Sequence, residues 1–244
     1  MPRFFIKKDD ISGEVARISG DDARHIARSL RMAVGDSVTL CDGEGRDYLA
    51  ILSKIRDEEC LCDITEEQAA VSESPVSITL CVAYPKGDKL ETVIQKAVEL
   101  GVATVIPFES SRCVKRPKAE KIDKLVSRLS RIAEEAAKQC GRSILPRVLA
   151  PVSFSEMLNI TKRSSLSLLC YEDENKTTLK SALLEAGTPK DISVIVGCEG
   201  GFSPEEAAAA VSAGAVSVSL GKRILRCETA PAYVLSALSY VFEL

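Results

Sequence analysis

The sequence predicts an α/β protein of two domains, a small β-rich domain over residues 1–72 and an α/β domain over residues 73–244. Short apolar runs separated by turn residues occupy the first part, a pattern typical of strands in a compact β structure. Beyond it, strand-like runs alternate with helical runs, which is typical of a mainly parallel sheet covered by helices on both faces. Between the two parts, residues 66–75 (EEQAAVSESP) show no periodicity and end in proline, so we place the linker there.

The first domain contains five strand-like runs, at residues 4–6, 14–18, 37–41, 48–55 and 60–64. One helix interrupts these runs. It begins at Asp21, a residue type that caps helices, and its expected buried stripe consists of Ala23, Ile26, Ala27 and Leu30. We expect the strands to close into a small barrel around this helix, because closure removes exposed strand edges.

The second domain contains strand-like runs at residues 76–83, 102–108, 165–171, 192–197 and 215–220. Helical runs occupy residues 88–100, 119–140, 178–186 and 204–213, and a glycine follows each of them, as is common where helices end. This alternation predicts parallel strands joined by helical crossovers.

The composition excludes several classes of protein. The chain has 244 residues, 45% hydrophobic and 27% charged, which is a globular balance and not that of a disordered chain. It has neither 18 consecutive apolar residues nor a signal-peptide pattern, so we expect a cytoplasmic protein. Nine cysteines without a CxxC pair indicate small buried side chains, not a disulfide framework. Because His25 is the single histidine, no metal site is expected.

The charge is unevenly distributed. A net charge of -3 argues against a nucleic-acid partner, but residues 112–147 hold eleven basic residues, Lys118 among them, and four acidic ones. Residues 44–73 reverse the sign, with nine acidic and three basic residues. The helical run 119–140 has an apolar stripe on one side and basic residues on the other. The basic zone is large enough to meet several phosphates, the alternative being an ordinary solvated helix face.

The most informative stretch is residues 194–214 (VIVGCEGGFSPEEAAAAVSAG). An apolar strand runs into three glycines, and Ser203, Pro204 and Glu206 then form the capping pattern of a new helix. Glycines between a strand and a helix let the backbone approach a ligand closely. The spacing is neither that of a dinucleotide fingerprint nor that of a P-loop. A candidate ligand loop and a merely structural turn therefore both remain open.

A second loop lies at residues 219–228 (SLGKRILRCE), followed by a helix for which Thr229 is the expected cap. If the two loops leave neighbouring strands, they form one pocket in which Glu199, Arg226 and Glu228 supply the charged groups. The alternative is a structural salt bridge between Glu199 and Arg226. Cys198 and Cys227 are disfavoured as nucleophiles, because a thiolate needs a neighbouring base or cation and the single histidine lies in the other domain.

These two loops carry a family resemblance. GCEGGFSPEE and LGKRILRCETA resemble the paired signatures of the bacterial 16S rRNA (uracil-N3)-methyltransferases of the SPOUT superfamily. Further motifs follow the order of that family: MPRFF, HIARSLRMAVGD, KGDKLETVIQKAVELGV, ESSRCVKR and EEAAKQCGR. The chain departs from the family at Cys198, where proline is usual, at Pro231, at Leu129 near a common tryptophan, and at residues 138–140.

The resemblance implies a PUA-like RNA-binding barrel followed by a SPOUT-type α/β methyltransferase domain with a trefoil knot near its C-terminus. It further implies a homodimer, S-adenosylmethionine as methyl donor, and methylation of N3 of uridine 1498 in 16S rRNA of the small ribosomal subunit. By similarity, the cofactor contacts the main chain of Gly197, Gly200, Gly201, Leu220, Gly221, Ile224, Leu225 and Thr229.

The residues suit this chemistry. N3 of uracil must lose its proton before it attacks a sulfonium methyl, so a base should accept the proton and a cation should stabilise the resulting charge. Glu199 or Glu228 is the expected base and Arg226 the expected cation. The expected RNA phosphate contacts are Arg24, Arg28, Arg31, Arg112, Lys115, Arg116, Arg128, Arg131 and Arg142.

Two other interpretations compete with N3 methylation. One is a SPOUT ribose 2'-O-methyltransferase acting on tRNA or rRNA. The other is a non-enzymatic RNA-binding assembly factor that retains the fold. Detectable binding of S-adenosylmethionine separates both enzymes from the factor, and the position of the methyl group separates the two enzymes.

Overall fold

The computed structural model describes residues 1–117 and 119–244, and Lys118 of the basic zone lies outside the described residues. The chain forms two compact units. The first consists of Met1–Glu73 together with Ala137–Leu145, and the second of Ser74–Ala136 together with Pro146–Leu244. The linear division expected at residue 72 therefore omits a segment, here called the return segment (Ala137–Leu145), that belongs to the first unit.

The first unit is built on a six-stranded sheet in the order β1-β4-β5-β6-β3-β2. Its strands are β1 (Arg3–Phe5), β2 (Ile11–Ser12), β3 (Val15–Ser19), β4 (Ser37–Cys41), β5 (Arg46–Ile55) and β6 (Glu59–Ala69). β1 pairs with β4 in parallel, and the other pairs are antiparallel. Apolar side chains on one face of the strands form the core, among them Phe4, Ile18, Leu40 and Leu52. The short strand β2 was not predicted.

The helix predicted for this unit takes a different form in the structure. α1 (Asp21–Arg24) has Gly20 as its N-cap residue, with no side-chain cap, and it continues as a π-helical turn over His25–Leu30. Ala23 and Ile26 are buried as expected, but Leu30 is 41% exposed. A π turn takes more residues than an α turn, so residues spaced for one face of an α-helix leave the buried side.

The return segment is attached to the rest of the first unit by buried polar contacts. The Glu73 carboxylate accepts hydrogen bonds from the Arg142 guanidinium (2.7 Å) and from the backbone amides of Ser143 and Ile144 (both 2.9 Å). Arg142 is only 4% exposed. The prediction that Arg142 contacts a phosphate is therefore wrong, because its side chain is buried and paired within this unit.

The second unit contains a seven-stranded parallel sheet, with strands in the order β10-β8-β7-β12-β11-β13 and β9 also paired with β8. The strands are β7 (Ser77–Ala83), β8 (Thr104–Glu109), β9 (Arg147–Val148), β10 (Val152–Ser153), β11 (Leu166–Cys170), β12 (Asp191–Val196) and β13 (Val216–Val218). The helices are α2 (Lys89–Glu99), α3 (Ile122–Cys140), α4 (Phe154–Thr161), α5 (Leu179–Ala186), α6 (Pro204–Ser212) and α7 (Thr229–Phe242). The end of α3, from Ala137, belongs to the first unit.

The parallel sheet confirms the predicted class for this part of the chain. β11 is buried at every position and β12 at every position but its first, as continuous apolar strands of a covered sheet should be. The edge strands β9 and β10, with two residues each, and helix α4 were not predicted. β11 lies between β12 and β13, so the chain crosses β11 when it passes from β12 through α6 to β13.

Across the described stretches 1–117 and 119–244, no helix has the length and apolar character needed to cross a bilayer.

We predict that Glu73→Ala lowers the free energy of unfolding by about 3 kcal/mol or more, because it removes the acceptor that the buried Arg142 guanidinium and two backbone amides share. Urea denaturation measures the change. Glu67→Ala, which removes an exposed ion pair with Arg46, is the matched control and should cost less than about 1 kcal/mol. Equal effects of the two variants would contradict the attachment of the return segment through Glu73.

Candidate active site

A cavity of about 590 Å³ opens at the carboxyl ends of β11, β12 and β13. Its volume is that of a small-molecule site. Two loops form most of its wall: the glycine loop (residues 197–201), which follows β12, and the connector loop (residues 219–228), which joins β13 to α7. Tyr171 and Glu172 after β11 and Lys89 at the start of α2 complete the wall. The two loops thus share one pocket as predicted, although the strands they follow, β12 and β13, are not neighbours but lie on either side of β11.

The glycine loop depends on small residues because its backbone folds back on itself. A Cβ atom on Gly197 would lie 3.1 Å from backbone atoms of Gly201 and 3.2 Å from the ring of Phe202. Gly201 has φ +64, and a Cβ atom there would collide with the Glu172 carboxylate. The Gly201 amide donates to the Cys198 carbonyl at 2.9 Å, which closes the turn. These contacts leave main-chain atoms of the loop open to the cavity.

Two further contacts fix the glycine loop. Arg112 Nη1 donates to the Gly200 carbonyl at 2.7 Å, so this predicted phosphate contact also holds the loop. At its far end the loop runs into α6, where Ser203 and Glu206 form the predicted capping box. The Glu206 carboxylate also accepts a hydrogen bond from the Ser111 amide at 2.6 Å. The loop is therefore held from two sides by the segment that follows β8.

The connector loop returns the chain to the sheet edge and starts α7. Its Arg226 carbonyl accepts hydrogen bonds from the amides of Thr229 (2.8 Å) and Ala230 (2.9 Å). The helix has Glu228 as its N-cap residue and Thr229 as its first residue, so the prediction of Thr229 as the cap is wrong. Of the eight residues expected to contact a cofactor, seven line the cavity, and Thr229 lies outside its wall.

Two carboxylates meet at Lys89, which lines the cavity. Its ammonium lies 3.0 Å from Glu199 Oε1 and 3.4 Å from Glu228 Oε2. Glu199 also accepts a hydrogen bond from the backbone amide of Lys86 at 3.2 Å. The structural salt bridge considered for Glu199 is therefore made with Lys89. Arg226 lines the cavity as well, and among the residues that the structure describes its guanidinium has no ion-pair partner.

Lys89 was not singled out from the sequence. The signal for it was present, because Lys89 follows the carboxyl end of β7 and begins a helix, which places it at the ligand-binding edge of a parallel sheet. That inference required the strand order, which puts β7 next to β12.

The pKa values of these groups keep the cluster ionised at neutral pH. Burial acts to raise the pKa of Glu199, but hydrogen bonds from backbone amides and from Lys89 hold it below its ordinary value. The pKa of Glu228 is lowered, chiefly by the hydrogen bond from the Cys227 thiol. The pKa of Lys89 is raised, chiefly by its hydrogen bond to Glu199. Lys89, Glu199 and Arg226 therefore line the cavity as charged groups, together with Glu172, Lys222 and Arg223, and Glu228 lies beside the wall, paired with Lys89.

The two cysteines beside these groups differ in environment. Burial raises the pKa of Cys227 to about 12, which leaves an inert thiol. The pKa of Cys198 is lowered, chiefly by a hydrogen bond from Cys113. The prediction from the sequence considered only histidine as a residue that could lower the pKa of this cysteine. Cys198 is 6% exposed, and its thiol contacts Cys113 and the hydroxyl of Ser110 (3.8 Å). This cluster of Ser110, Cys113 and Cys198 supports the base of the glycine loop.

Most of the predicted phosphate contacts are exposed and paired with acidic side chains on the same unit. In the first unit, Arg24 pairs with Asp21 and Arg28 with Asp57. In the second, the pairs are Arg116–Glu109 (3.6 Å), Arg128–Glu91 (2.8 Å) and Arg131–Glu135 (3.5 Å). Arg31 and Lys115 are exposed. Exposed pairs of this kind contribute little stability, so a phosphate can replace the acidic partner at small cost.

Family models and known proteins match this chain along its length. A family model described as an RNA methyltransferase domain matches residues 72–239, and one described as an RNA methyltransferase PUA domain matches residues 18–65. The chain is 35% identical over 251 residues to ribosomal RNA small subunit methyltransferase E of Bacillus subtilis, covering 100% of this chain and 98% of that protein. The protein of the same name from Synechocystis is 31% identical, with 99% of this chain and 78% of that protein covered.

Solved structures match equally well. A ribosomal RNA small subunit methyltransferase E from Neisseria gonorrhoeae, bound to S-adenosyl methionine, has a TM-score of 0.84 and 30% identity, covering 99% of this chain and 98% of that one. A methyltransferase from Legionella pneumophila in complex with the cofactor SAM has a TM-score of 0.87 and 30% identity, covering 98% and 97%. The chain therefore belongs to the RNA methyltransferase family that includes ribosomal RNA small subunit methyltransferase E, the family its two loop motifs resemble.

Proposed function

We propose that this protein transfers a methyl group from S-adenosylmethionine to N3 of a uridine in 16S rRNA, at the position that the resemblance implies, uridine 1498. The observation that carries the proposal is the cavity itself, where Glu199, Lys89 and Arg226 line the wall beside a glycine loop and Glu228 pairs with Lys89. Full-length similarity to ribosomal RNA small subunit methyltransferase E supports it. The reaction belongs to rRNA processing in ribosome biogenesis, which takes place in the cytoplasm.

The glycine loop and the connector loop suit S-adenosylmethionine. At Gly197 and Gly200 a Cβ atom would crowd backbone or side-chain atoms within about 3 Å, so the main chain itself forms the cavity wall. Gly201, Leu220 and Gly221 continue this wall, with Ile224 and Leu225. When bound there, the cofactor supplies an electrophilic sulfonium methyl group. The predicted contact of Thr229 stays a prediction.

The acid–base chemistry falls to the charged groups of the cavity. Glu199 or Glu228 accepts the proton of N3, for which each must be ionised beforehand, as their lowered pKa values ensure at neutral pH. Arg226 stabilises the negative charge that spreads to O2 and O4 of the uracil. Its guanidinium is suited to this, since it is exposed to the cavity and has no ion-pair partner in the part of the chain that the structure describes.

The RNA is held by basic residues of both units. Arg24, Arg28 and Arg31 serve in the first unit, and Arg112, Lys115, Arg116, Arg128 and Arg131 in the second. Neutralising several phosphates supplies most of the affinity, while the cavity selects the base.

The knot and the homodimer implied by the resemblance belong to the same proposal. After β13 the chain passes through the connector loop, and α7 then packs against α2 and β12. This return past β11 supports the trefoil knot. For the dimer, Tyr233 and Tyr240 lie seven residues apart on one side of α7 and are 47% and 73% exposed. An exposed aromatic stripe of this kind supports pairing of α7 with a second copy.

Analysis of 16S rRNA from a deletion strain tests the function. Mass spectrometry of its nucleosides should show loss of N3-methyluridine, restored by the wild-type gene. Persistence of that nucleoside would contradict the proposal, provided that no second enzyme makes it. Loss of a ribose-methylated nucleotide instead would establish the 2'-O-methyltransferase interpretation, and failure to bind S-adenosylmethionine in calorimetry would favour the assembly factor.

We predict that Arg226→Ala lowers the single-turnover methylation rate by about 10²–10³-fold, because charge on the uracil loses its preorganised cation. Cofactor affinity, measured by calorimetry, should change by less than about twofold, since the neighbouring main chain is retained. Arg163→Ala, at an exposed arginine outside the cavity wall, is the control. Full activity of Arg226→Ala would refute its role.

Gly197→Ala should weaken S-adenosylmethionine binding at least about tenfold, because its Cβ would press on the backbone of Gly201, which has no flexible side chain to move aside. The control is Gly187→Ala, whose positive φ (+65) is strained but whose Cβ meets nothing within 4 Å. Calorimetric titration of both variants gives the comparison. Unchanged affinity in Gly197→Ala would show that the loop does not form the cofactor wall.

Binding of the 16S rRNA substrate should weaken steeply with salt. Replacing both Lys115 and Arg131 by alanine should reduce the slope of log affinity against log salt by about one for each phosphate that the variant no longer neutralises. Filter binding across a salt series measures the slopes. A flat salt response of the wild-type protein would contradict phosphate binding by the basic zone.

A further inference from the structure

Lys89 occupies the centre of the charged cluster and has no role in the chemistry assigned above. Its ammonium contacts both candidate bases, Glu199 at 3.0 Å and Glu228 at 3.4 Å. The three side chains are similarly half-buried, with 32%, 29% and 29% of their surfaces exposed. Lys89 also lines the cavity. Lys89 is thus shared by Glu199 and Glu228, the two candidates for the group that accepts the N3 proton.

The other polar groups around Lys89 do not replace it. The Cys227 thiol lies 3.9 Å from its nitrogen and donates a hydrogen bond to Glu228 (3.2 Å), but it carries no charge at neutral pH because burial raises its pKa. The Lys86 contact to Glu199 is made by a backbone amide. Lys89 is therefore the one side-chain cation paired with Glu199 and Glu228 in the described part of the chain.

Proton transfer changes the charge that surrounds Lys89. When the N3–H bond breaks and an O–H bond forms on a carboxylate, the negative charge moves from that carboxylate to the N3, O2 and O4 atoms of the uracil. The protonated carboxyl group no longer attracts the ammonium. The nearest new anion is the uracil, and an ammonium group on a flexible stem can follow the charge without leaving the cavity.

We propose that Lys89 is a catalytic residue, whose ammonium releases the carboxylate that accepts the N3 proton and pairs instead with the uracil anion. The inference rests on the proposed function. Methylation of N3 then neutralises the uracil, the carboxyl group returns its proton to solvent, and Lys89 pairs with the carboxylate again. Because Lys89 reaches both Glu199 and Glu228, it serves whichever of them is the base.

The substrate itself provides a sharp test. A 5-fluorouridine at the target position has a more acidic N3, so its anion depends less on a nearby cation. Lys89→Met removes the charge and keeps the length of the side chain, Lys89→Arg keeps the charge, and Lys96→Met on the same helix is the matched control. Single-turnover methylation of uridine and 5-fluorouridine substrates is measured for each variant, and calorimetry measures the binding of S-adenosylmethionine.

We expect Lys89→Met to slow methylation of uridine by about 10²-fold. The factor by which it slows methylation of 5-fluorouridine should be smaller by at least about tenfold. Lys89→Arg should recover most of the rate, and Lys96→Met should behave as wild type. Equal slowing of both substrates by Lys89→Met would overturn the proposal, since a merely structural lysine would affect them alike. Wild-type rates in Lys89→Met would overturn it as well.

A second readout does not depend on activity. Removing a neighbouring cation raises the pKa of a carboxyl group, so the pKa of Glu199 in Lys89→Met should rise, as carbon-13 NMR of labelled glutamate measures. The acid limb of the pH–rate profile for methylation should shift to higher pH in parallel. An unchanged titration of both Glu199 and Glu228 would overturn the proposal. A wild-type protein that produces no N3-methyluridine, by contrast, would overturn the proposed function itself.

Discussion

The strand order β12-β11-β13 is the constraint on which the candidate site depends. Because all three strands are parallel, their carboxyl ends lie at one edge, and the loops that follow β12 and β13 must meet there. The glycine loop can take its shape there only because side chains are absent: a Cβ on Gly197 would crowd Gly201 and Phe202, and one on Gly200 would crowd Arg112. Sheet topology and glycine placement thus act together: the first sets where the ligand binds, and the second makes room for it.

The same geometry decides which charged groups can cooperate. Glu199 and Glu228 are separated by 29 positions in the chain, yet one ammonium contacts both carboxylates. The pair is balanced by Lys89 and accompanied by the guanidinium of Arg226, so neither carboxylate stands alone in a half-buried pocket. Under the proposed function, this arrangement is how a protein with one histidine carries out proton transfer: an ionised carboxylate accepts the proton, and the neighbouring cations balance the charge.

Much of the fold and of the candidate site could be predicted from the sequence, and the features that were missed have physical causes. The apolar strands β11 and β12 and the capping box of α6 follow from local patterns, and all three were predicted. The π-helical turn at His25–Leu30 could not be predicted, because an α-helical spacing of apolar residues was assumed. Two-residue strands such as β9 are too short to show a period. Lys89 and the buried pair of Arg142 depend on which segments meet in space, which spacing along the chain does not encode.

The return segment has a consequence for how the chain can be divided. Each unit is assembled from two separate stretches of sequence, so the backbone passes from one unit to the other near residue 73, near residue 136 and again near residue 145. A protease that cuts only the first junction cannot release an intact first unit, because Ala137–Leu145 would leave with the other piece. A fragment ending at residue 72 would likewise lack Glu73 and the segment it anchors. Neither unit is therefore expected to be exchanged between proteins or expressed alone as an independent module. We expect the two to be inherited together and to unfold together.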